Sequence, residues 1–144
     1  MKILVKEGAK CPTRGTKESA GLDFYVPLDF ETKVMYNGDK LKIPSGVSMV
    51  IPEGKAGIFF NKSSHGSKGL FVGACVVDSD YRGEVHLDVH YLGDDSFIVT
   101  PGMKIVQMLL IDVQLLDCQQ ISKEAFAQLC DTERGSGGFG STGA

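Results

Sequence analysis

The hydrophobic positions of this chain fall into short runs separated by turn-forming residues. In the clearest run, Val85, Leu87, Val89 and Tyr91 alternate with polar residues, which is the period of a strand with one buried face. Many short strands at regular spacing predict an all-β sandwich or barrel. The runs cover residues 3–5, 22–26, 47–51, 57–60, 70–77, 85–91, 97–99 and 105–113, and the separating turns include Asn37-Gly38, Pro44-Ser45-Gly46, Pro52-Glu53-Gly54, Arg82-Gly83 and Pro101-Gly102.

Helical signals are confined to two short places. One begins near Ser63 and Ser64, either of which can cap a helix, and the other spans residues 122–129, where Ala, Glu and Gln favour a helix. Residues 76–85 predict a strand, a tight turn and a second strand, which together form a hairpin.

Composition and charge narrow the class of protein. A chain of 144 residues with 42% hydrophobic and 23% charged residues fits one globular domain. The net charge of −3 argues against nucleic acid as a partner, because such proteins usually carry a basic patch. The chain has no apolar run of about 20 residues, and its first residues do not form a signal peptide, so we expect no membrane span and the cytosol or another intracellular compartment.

Cysteine and histidine spacing predicts neither a metal site nor a disulfide. The cysteines are far apart and lack a C-x-x-C pair, so we expect four free thiols. His86 and His90 share a strand face with Asp88 but lie about 13 Å apart along it, too far for one ion to bridge. We expect these three residues to face solvent or a second subunit.

Two internal segments carry candidate chemistry. Residues 61–69 gather lysines, serines and glycines after an apolar strand, which suits an anion site as well as an ordinary polar loop. Asp78 and Tyr81 lie at the predicted hairpin end, where an acid beside an aromatic ring can serve a substrate. The alternative is that Asp78 or Asp80 bonds the turn backbone and Tyr81 packs in the core. Asp23 can cap, form an ion pair or hold a hydrated magnesium ion through water, and its position favours a cap.

The last residues, 131–144, combine five glycines with Arg134, Phe139 and several hydroxyls. Backbone N–H groups freed by glycine, together with arginine, are suited to wrapping around phosphates. A flexible tail is the alternative. Phe139 favours the first interpretation, because a ring between glycines can stack on a base.

Taken in order, these segments resemble the five motifs of the trimeric dUTPase family. The match runs over residues 20–143; residues 72–85 and 134–143 carry most of it, and residues 20–23 and 102–107 support it. The resemblance implies a jelly-roll-like β-barrel or sandwich that forms a homotrimer. It also implies a β-barrel domain over residues 1–130 and a flexible, glycine-rich phosphate-wrapping arm over residues 131–144 that closes over a neighbouring subunit.

The resemblance also implies hydrolysis of dUTP to dUMP and pyrophosphate, with Mg²⁺ held by the triphosphate. Asp78 would activate the attacking water, and Tyr81 would exclude a ribose 2′-OH. Asp23 would hold the water shell of the metal, and Phe139 would stack on uracil. The other substrate-binding residues it implies are Ala74, Cys75 and Val76 for uracil, and Lys62, Ser63, Ser64, Gln107, Arg134, Gly140, Ser141 and Thr142 for the phosphates.

Some positions depart from the family pattern. Lys62 stands where arginine is usual, and lysine cannot form the planar bidentate contact of a guanidinium. Asn61 replaces a common proline, and Met103 a frequent acid. Two other functions stay open: a dCTP deaminase of the same fold, and a regulatory trimer that binds the nucleotide without cleaving it.

Overall fold

The computed structural model describes residues 1–137, and the chain packs as two units, Met1–Gln114 and a second that begins at Leu115. The first unit contains ten strands and one short helix. The predicted boundary between residues 130 and 131 stays a prediction. The elements of the first unit are β1 (Lys2–Val5), β2 (Leu22–Tyr25), β3 (Lys33–Met35), β4 (Lys40–Val50), β5 (Lys55–Asn61), α1 (Ser63–Gly66), β6 (Leu70–Val72), β7 (Val76–Val77), β8 (Glu84–Tyr91), β9 (Phe97–Val99) and β10 (Lys104–Asp112).

The strands form two four-stranded sheets, in the orders β1-β4-β8-β6 and β2-β10-β5-β7, and β3 pairs with β9. Every pairing between these strands is antiparallel. Side chains from both four-stranded sheets fill one core, in which the rings of Phe24 and Phe59 meet edge to face with centroids 4.9 Å apart. The predicted all-β, jelly-roll-like fold is therefore confirmed.

The alternation predicted for β8 is present. Val85, Leu87, Val89 and Tyr91 are buried, and the polar residues between them are partly exposed. β10 departs from strict alternation, because a bulge shifts its register against β2. Ile105 is consequently buried next to another buried residue.

One predicted turn is wrong. Pro44-Ser45-Gly46 does not end a strand but lies inside β4, where the register against β8 shifts between Pro44 and Ser48. Gly46 has a φ of 70°, which a bulge can require and which glycine adopts readily. The Ser45 hydroxyl donates to the carbonyl of Val85 at 2.6 Å, so this buried polar group is paired. β3 was also missed, because only its last residue, Met35, is buried, so its sequence shows no alternation of apolar and polar positions.

The predicted single strand over residues 70–77 is also wrong. β6 pairs with β8 in one sheet, whereas β7 pairs with β5 in the other. The predicted hairpin over residues 76–85 is therefore wrong as well, because β7 and β8 belong to different sheets. Gly73 interrupts the apolar run at the place where the chain changes sheet.

The second unit contains helix α2 (Lys123–Ala127), which lies inside the predicted range. The Ser122 hydroxyl accepts a hydrogen bond from the N–H of Ala125 at 3.2 Å and caps this helix. α1 is capped differently from the prediction, because its N-cap residue is Lys62, not Ser63 or Ser64. All four cysteines are free thiols. No helix within residues 1–137 is long and apolar enough to cross a membrane.

Candidate active site

Residues 73–75, called the crossover segment below, carry the chain from one sheet to the other. At its first end, the N–H of Gly73 donates to the carbonyl of Asp88 on β8 at 2.9 Å. At its last end, the carbonyl of Cys75 accepts from the N–H of Phe59 on β5 at 2.8 Å. The segment is thus anchored to a central strand of each sheet.

A tight turn follows β7 and presents Asp78. The N–H of Tyr81 donates to the carbonyl of Asp78 at 3.2 Å, and the Tyr81 hydroxyl donates to the carbonyl of Glu84 at 2.9 Å. Arg82 adds a hydrogen bond to the carbonyl of Ser79 at 2.7 Å. The ring of Tyr81 is 43% exposed, so the alternative in which Tyr81 packs in the core is wrong.

Ala74 of the crossover segment and this turn line an open pocket of about 210 Å³. Four residues predicted from the sequence line this pocket, which is called the turn pocket below: Ala74, Val76, Asp78 and Tyr81. Cys75, predicted beside them, is partly exposed within the crossover segment. The pocket thus combines a carboxylate and an aromatic ring, whereas Cys75 is not among its lining residues.

Of the lining residues that were not predicted, three carry polar or charged side chains: Lys42, Glu84 and His86. Glu84 belongs to an ion pair with Lys6 at 2.6 Å, and its other oxygen accepts from the N–H of Gly46 at 2.7 Å. These two hydrogen bonds lower the pKa of Glu84. Glu84 therefore stays ionised, and its two hydrogen bonds hold the start of β8. No pattern in the sequence indicates that Lys6 would reach it.

A second set of polar groups lies at the ends of β2, β5 and β10. Asp23 as a whole residue is 7% exposed. One oxygen of its carboxylate accepts a hydrogen bond from Lys62, and the other lies 3.0 Å from the Nζ of Lys104. Asp23, Lys62 and Lys104 are called the Asp23 cluster below. The predicted cap is thus wrong, because Asp23 lies within β2 and forms ion pairs.

The Asp23 cluster holds its central carboxylate charged. Burial opposes the charge of Asp23, but the hydrogen bonds and positive charges of Lys62 and Lys104 outweigh it, and the pKa of Asp23 is lowered. The same contact with Asp23 raises the pKa of Lys104. Lys104 was missed in the sequence, where it reads as the first residue of an alternating strand.

Strand register explains why these residues meet. Gln107 on β10 pairs with Asp23 on β2 and with Phe60 on β5. The side-chain amide of Gln107 donates to the carbonyl of Asn61 at 2.9 Å. Gly21 leaves room for this contact, since a Cβ there would lie 3.1 Å from the Cβ of Gln107. A cleft of about 500 Å³ beside these groups is lined by Ser19, Ala20, Gly21, Phe60, Asn61, Gln107 and Leu109.

Helix α1 places two serines next to Lys62. Ser63 and Ser64 are exposed, so their hydroxyls are accessible. His65 anchors the helix, with its Nε2 2.9 Å from the carbonyl of Lys104. A carbonyl only accepts, so Nε2 carries the proton, and within residues 1–137 the buried Nδ1 has no partner.

The structure therefore brings the predicted residues together in two groups, the turn pocket and the Asp23 cluster with its serines and Gln107. In the second unit, the exposed Arg134 donates through Nε to the carbonyl of Gly137 at 3.2 Å. Phe139, Gly140, Ser141 and Thr142 lie outside the described residues. Among residues 1–137, no set of three or more His, Cys, Asp or Glu side chains converges on a metal position.

Comparison with known proteins identifies the family of this chain. The dUTPase family model matches residues 7–143. A deoxyuridine 5′-triphosphate nucleotidohydrolase of Yarrowia lipolytica is 39% identical over 140 residues, which are 96% of this chain and 85% of the relative. One from Leptospira interrogans is 36% identical over 149 residues, covering 99% of each chain.

Solved structures give the same fold. A dUTPase of Staphylococcus bacteriophage 80alpha, in complex with dUpNHpp, superposes with a TM-score of 0.82 at 23% identity and covers 99% of this chain and 98% of its own. A dUTPase from phage phi11 of S. aureus, in which a structural Mg(II) ion is coordinated, has a TM-score of 0.74 at 21% identity, over 85% of this chain and 96% of its own. At 21% and 23% identity, the similarity to these two structures shows the fold alone.

The family match identifies the chain as an all-β hydrolase of nucleotide metabolism. The chain belongs to the dUTPase family, whose enzymes are dUTP diphosphatases.

Proposed function

We propose that this protein hydrolyses dUTP to dUMP and pyrophosphate by attack of an Asp78-activated water on the α-phosphorus. The dUTP nucleotidohydrolase activity follows from the family. The observation that supports the mechanism most is the turn pocket, which the exposed Asp78 lines together with Tyr81, Ala74 and Val76.

In this mechanism Asp78 accepts a proton from a water molecule, whose oxygen forms a bond to the α-phosphorus. The bond from the α-phosphorus to the bridging oxygen breaks, and pyrophosphate leaves with the electron pair. The Tyr81 ring would pack under the deoxyribose and crowd a 2′-OH, while uracil would pair with the main chain of Ala74, Cys75 and Val76.

The Asp23 cluster would serve the triphosphate. Lys62 with Ser63 and Ser64, and Gln107, would contact phosphate oxygens. The arm residues Arg134, Gly140, Ser141 and Thr142 would neutralise charge on the phosphates, and Phe139 would stack on uracil. These arm contacts would come from a neighbouring subunit of a homotrimer.

Mg²⁺ fits this cluster only through water. Both oxygens of Asp23 already accept from lysines, but each carboxylate oxygen can accept a second hydrogen bond. An ionised carboxylate is a suitable acceptor for a metal-bound water, and we propose Asp23 in that role. When bound, the ion would neutralise charge on the triphosphate.

The deciding experiment incubates the purified protein with dUTP and Mg²⁺ and measures pyrophosphate and ammonia, with UTP, dCTP and dTTP in parallel. We expect pyrophosphate from dUTP and little from the other nucleotides. Ammonia from dCTP would indicate a deaminase, and tight dUTP binding without product would indicate a regulatory protein. Light scattering should give a mass three times that of the 15.5 kDa chain, and a monomer would contradict the proposed trimer.

A further inference from the structure

Asp88 lies on β8 and contacts the crossover segment twice. Its carbonyl accepts from the N–H of Gly73 at 2.9 Å, and its carboxylate Oδ2 accepts from the N–H of Ala74 at 3.0 Å. The first contact extends the pairing of β6 with β8 by one residue. The second is made by a side chain, at the point where the main chain turns away from β8.

Glycine at position 73 permits this approach. A Cβ there would lie 2.7 Å from the Oδ2 of Asp88 and 2.7 Å from the Nε2 of His90. The same imidazole nitrogen lies 3.8 Å from the Oδ1 of Asp88. Asp88 and His90 thus occupy the space that a side chain at position 73 would need.

These contacts leave one peptide unit between two fixed ones. Asp88 holds the peptide that joins Gly73 and Ala74, and the N–H of Phe59 holds the peptide that follows Cys75. Within residues 1–137, the peptide between Ala74 and Cys75 pairs neither its carbonyl nor its N–H with another protein group. The two groups of a trans peptide point in opposite directions, so its orientation decides whether a donor or an acceptor faces the pocket.

We propose that Asp88 is a positioning residue that sets base discrimination, because it fixes the orientation of the peptide between Ala74 and Cys75. This inference rests on the proposed function, in which the turn pocket takes the nucleoside. Uracil carries a donor at N3 where cytosine carries an acceptor. A peptide that can turn over would present either group and would pair with both bases, whereas a fixed peptide pairs with one.

The test compares Asp88→Leu with Asp88→Asn, since leucine removes the acceptor and the asparagine oxygen keeps one. For Asp88→Leu we expect the ratio of kcat/KM for dUTP to that for dCTP to fall about tenfold, the effect of one hydrogen bond. KM for dUTP should rise several-fold, and kcat should change little because Asp78 is untouched. For Asp88→Asn the ratio should stay within about twofold of wild type, since its oxygen accepts the same N–H.

Asp39 offers a matched control, because its carboxylate Oδ2 accepts from the N–H of Tyr36 at 2.8 Å in a different turn. Asp39→Leu should leave the base ratio unchanged. Inhibition by inorganic triphosphate, which has no base, should be the same in wild type and Asp88→Leu. If Asp88→Leu does not fold, Gly73→Ala displaces the carboxylate and should lower the ratio in the same way.

An active wild type whose folded Asp88→Leu variant keeps its base ratio and KM would overturn this inference and leave the proposed function standing. Equal changes in Asp88→Leu and Asp39→Leu would also overturn it. Absence of pyrophosphate from dUTP with the wild type would instead refute the proposed function.

Discussion

The turn pocket and the Asp23 cluster each contain a carboxylate, but they hold it in opposite ways. The turn pocket offers an exposed carboxylate and ring on a scaffold held mainly by main-chain hydrogen bonds. The Asp23 cluster buries a carboxylate and stabilises it with two lysines. A substitution in the pocket should therefore change activity with little effect on stability, whereas one that removes a charge from the cluster should also destabilise the fold. Variants of both regions test this difference in activity and stability.

The largest effect is expected for Asp78→Asn. Loss of the general base should lower kcat for pyrophosphate release by about 10²–10⁴-fold. The melting temperature should hardly change, because Asp78 is exposed. Asp80→Asn, in the same exposed turn, is the matched control and should retain activity. An Asp78→Asn variant with wild-type kcat would remove Asp78 from the mechanism.

Asp23→Asn should destabilise the fold. Removing the charge of the buried carboxylate leaves two partly exposed lysines without their ionic partner, at an expected cost of about 1–3 kcal/mol in the free energy of unfolding. Urea unfolding measures this loss in the free energy of unfolding. Asp112→Asn is the control, because Asp112 pairs with Lys55 at the surface and should cost at most about 0.5 kcal/mol. Equal losses in both variants would mean that burial of the cluster contributes nothing.

Acid should act on the same carboxylate. The pKa of Asp23 is lowered in the folded state, so its contribution to stability is complete above its unfolded value of about 3.9 and is lost as pH falls through the folded value. Unfolding free energy measured from pH 6 to pH 2 should therefore fall less steeply in Asp23→Asn than in wild type. Parallel curves for the two proteins would contradict the ion-pair assignment.

Tyr81→Ala should relax sugar selection. Without the ring, a ribose 2′-OH meets less crowding, and the preference for dUTP over UTP in kcat/KM should fall about tenfold, the scale of one pocket contact. Tyr81→Phe is the control: it keeps the ring, loses only the hydrogen bond to Glu84, and should keep the preference. If both variants behave alike, the hydroxyl and not the ring selects the sugar.

The smallest effect is expected for Lys62→Arg. A guanidinium can keep the pair with Asp23 and offer a planar fork to phosphate, so KM for dUTP should fall by about threefold with kcat unchanged. Lys68→Arg, an exposed position on the same segment, should have no effect. A higher KM in Lys62→Arg would show that the buried site is shaped for an ammonium.

The fold was predictable where one face of a strand is buried, as in β8, because burial imposes the two-residue period. It was not predictable at Pro44-Ser45-Gly46, where bulge and turn residues are the same. Asp78 and Tyr81 could be located from their turn and the family motif. Lys104 could not, because its role depends on which strand lies beside β10.

The change of sheet at residues 73–75 also ties the site to the whole fold. These residues take their final position only when β5 and β8, which lie in different sheets, are both in place. The crossover segment therefore forms only after contacts between distant parts of the chain, which are slow to assemble. Under the proposed function, a nucleoside bound there would favour the native state over the unfolded chain by thermodynamic linkage, so that substrate would act as a clamp across the two layers of the sandwich.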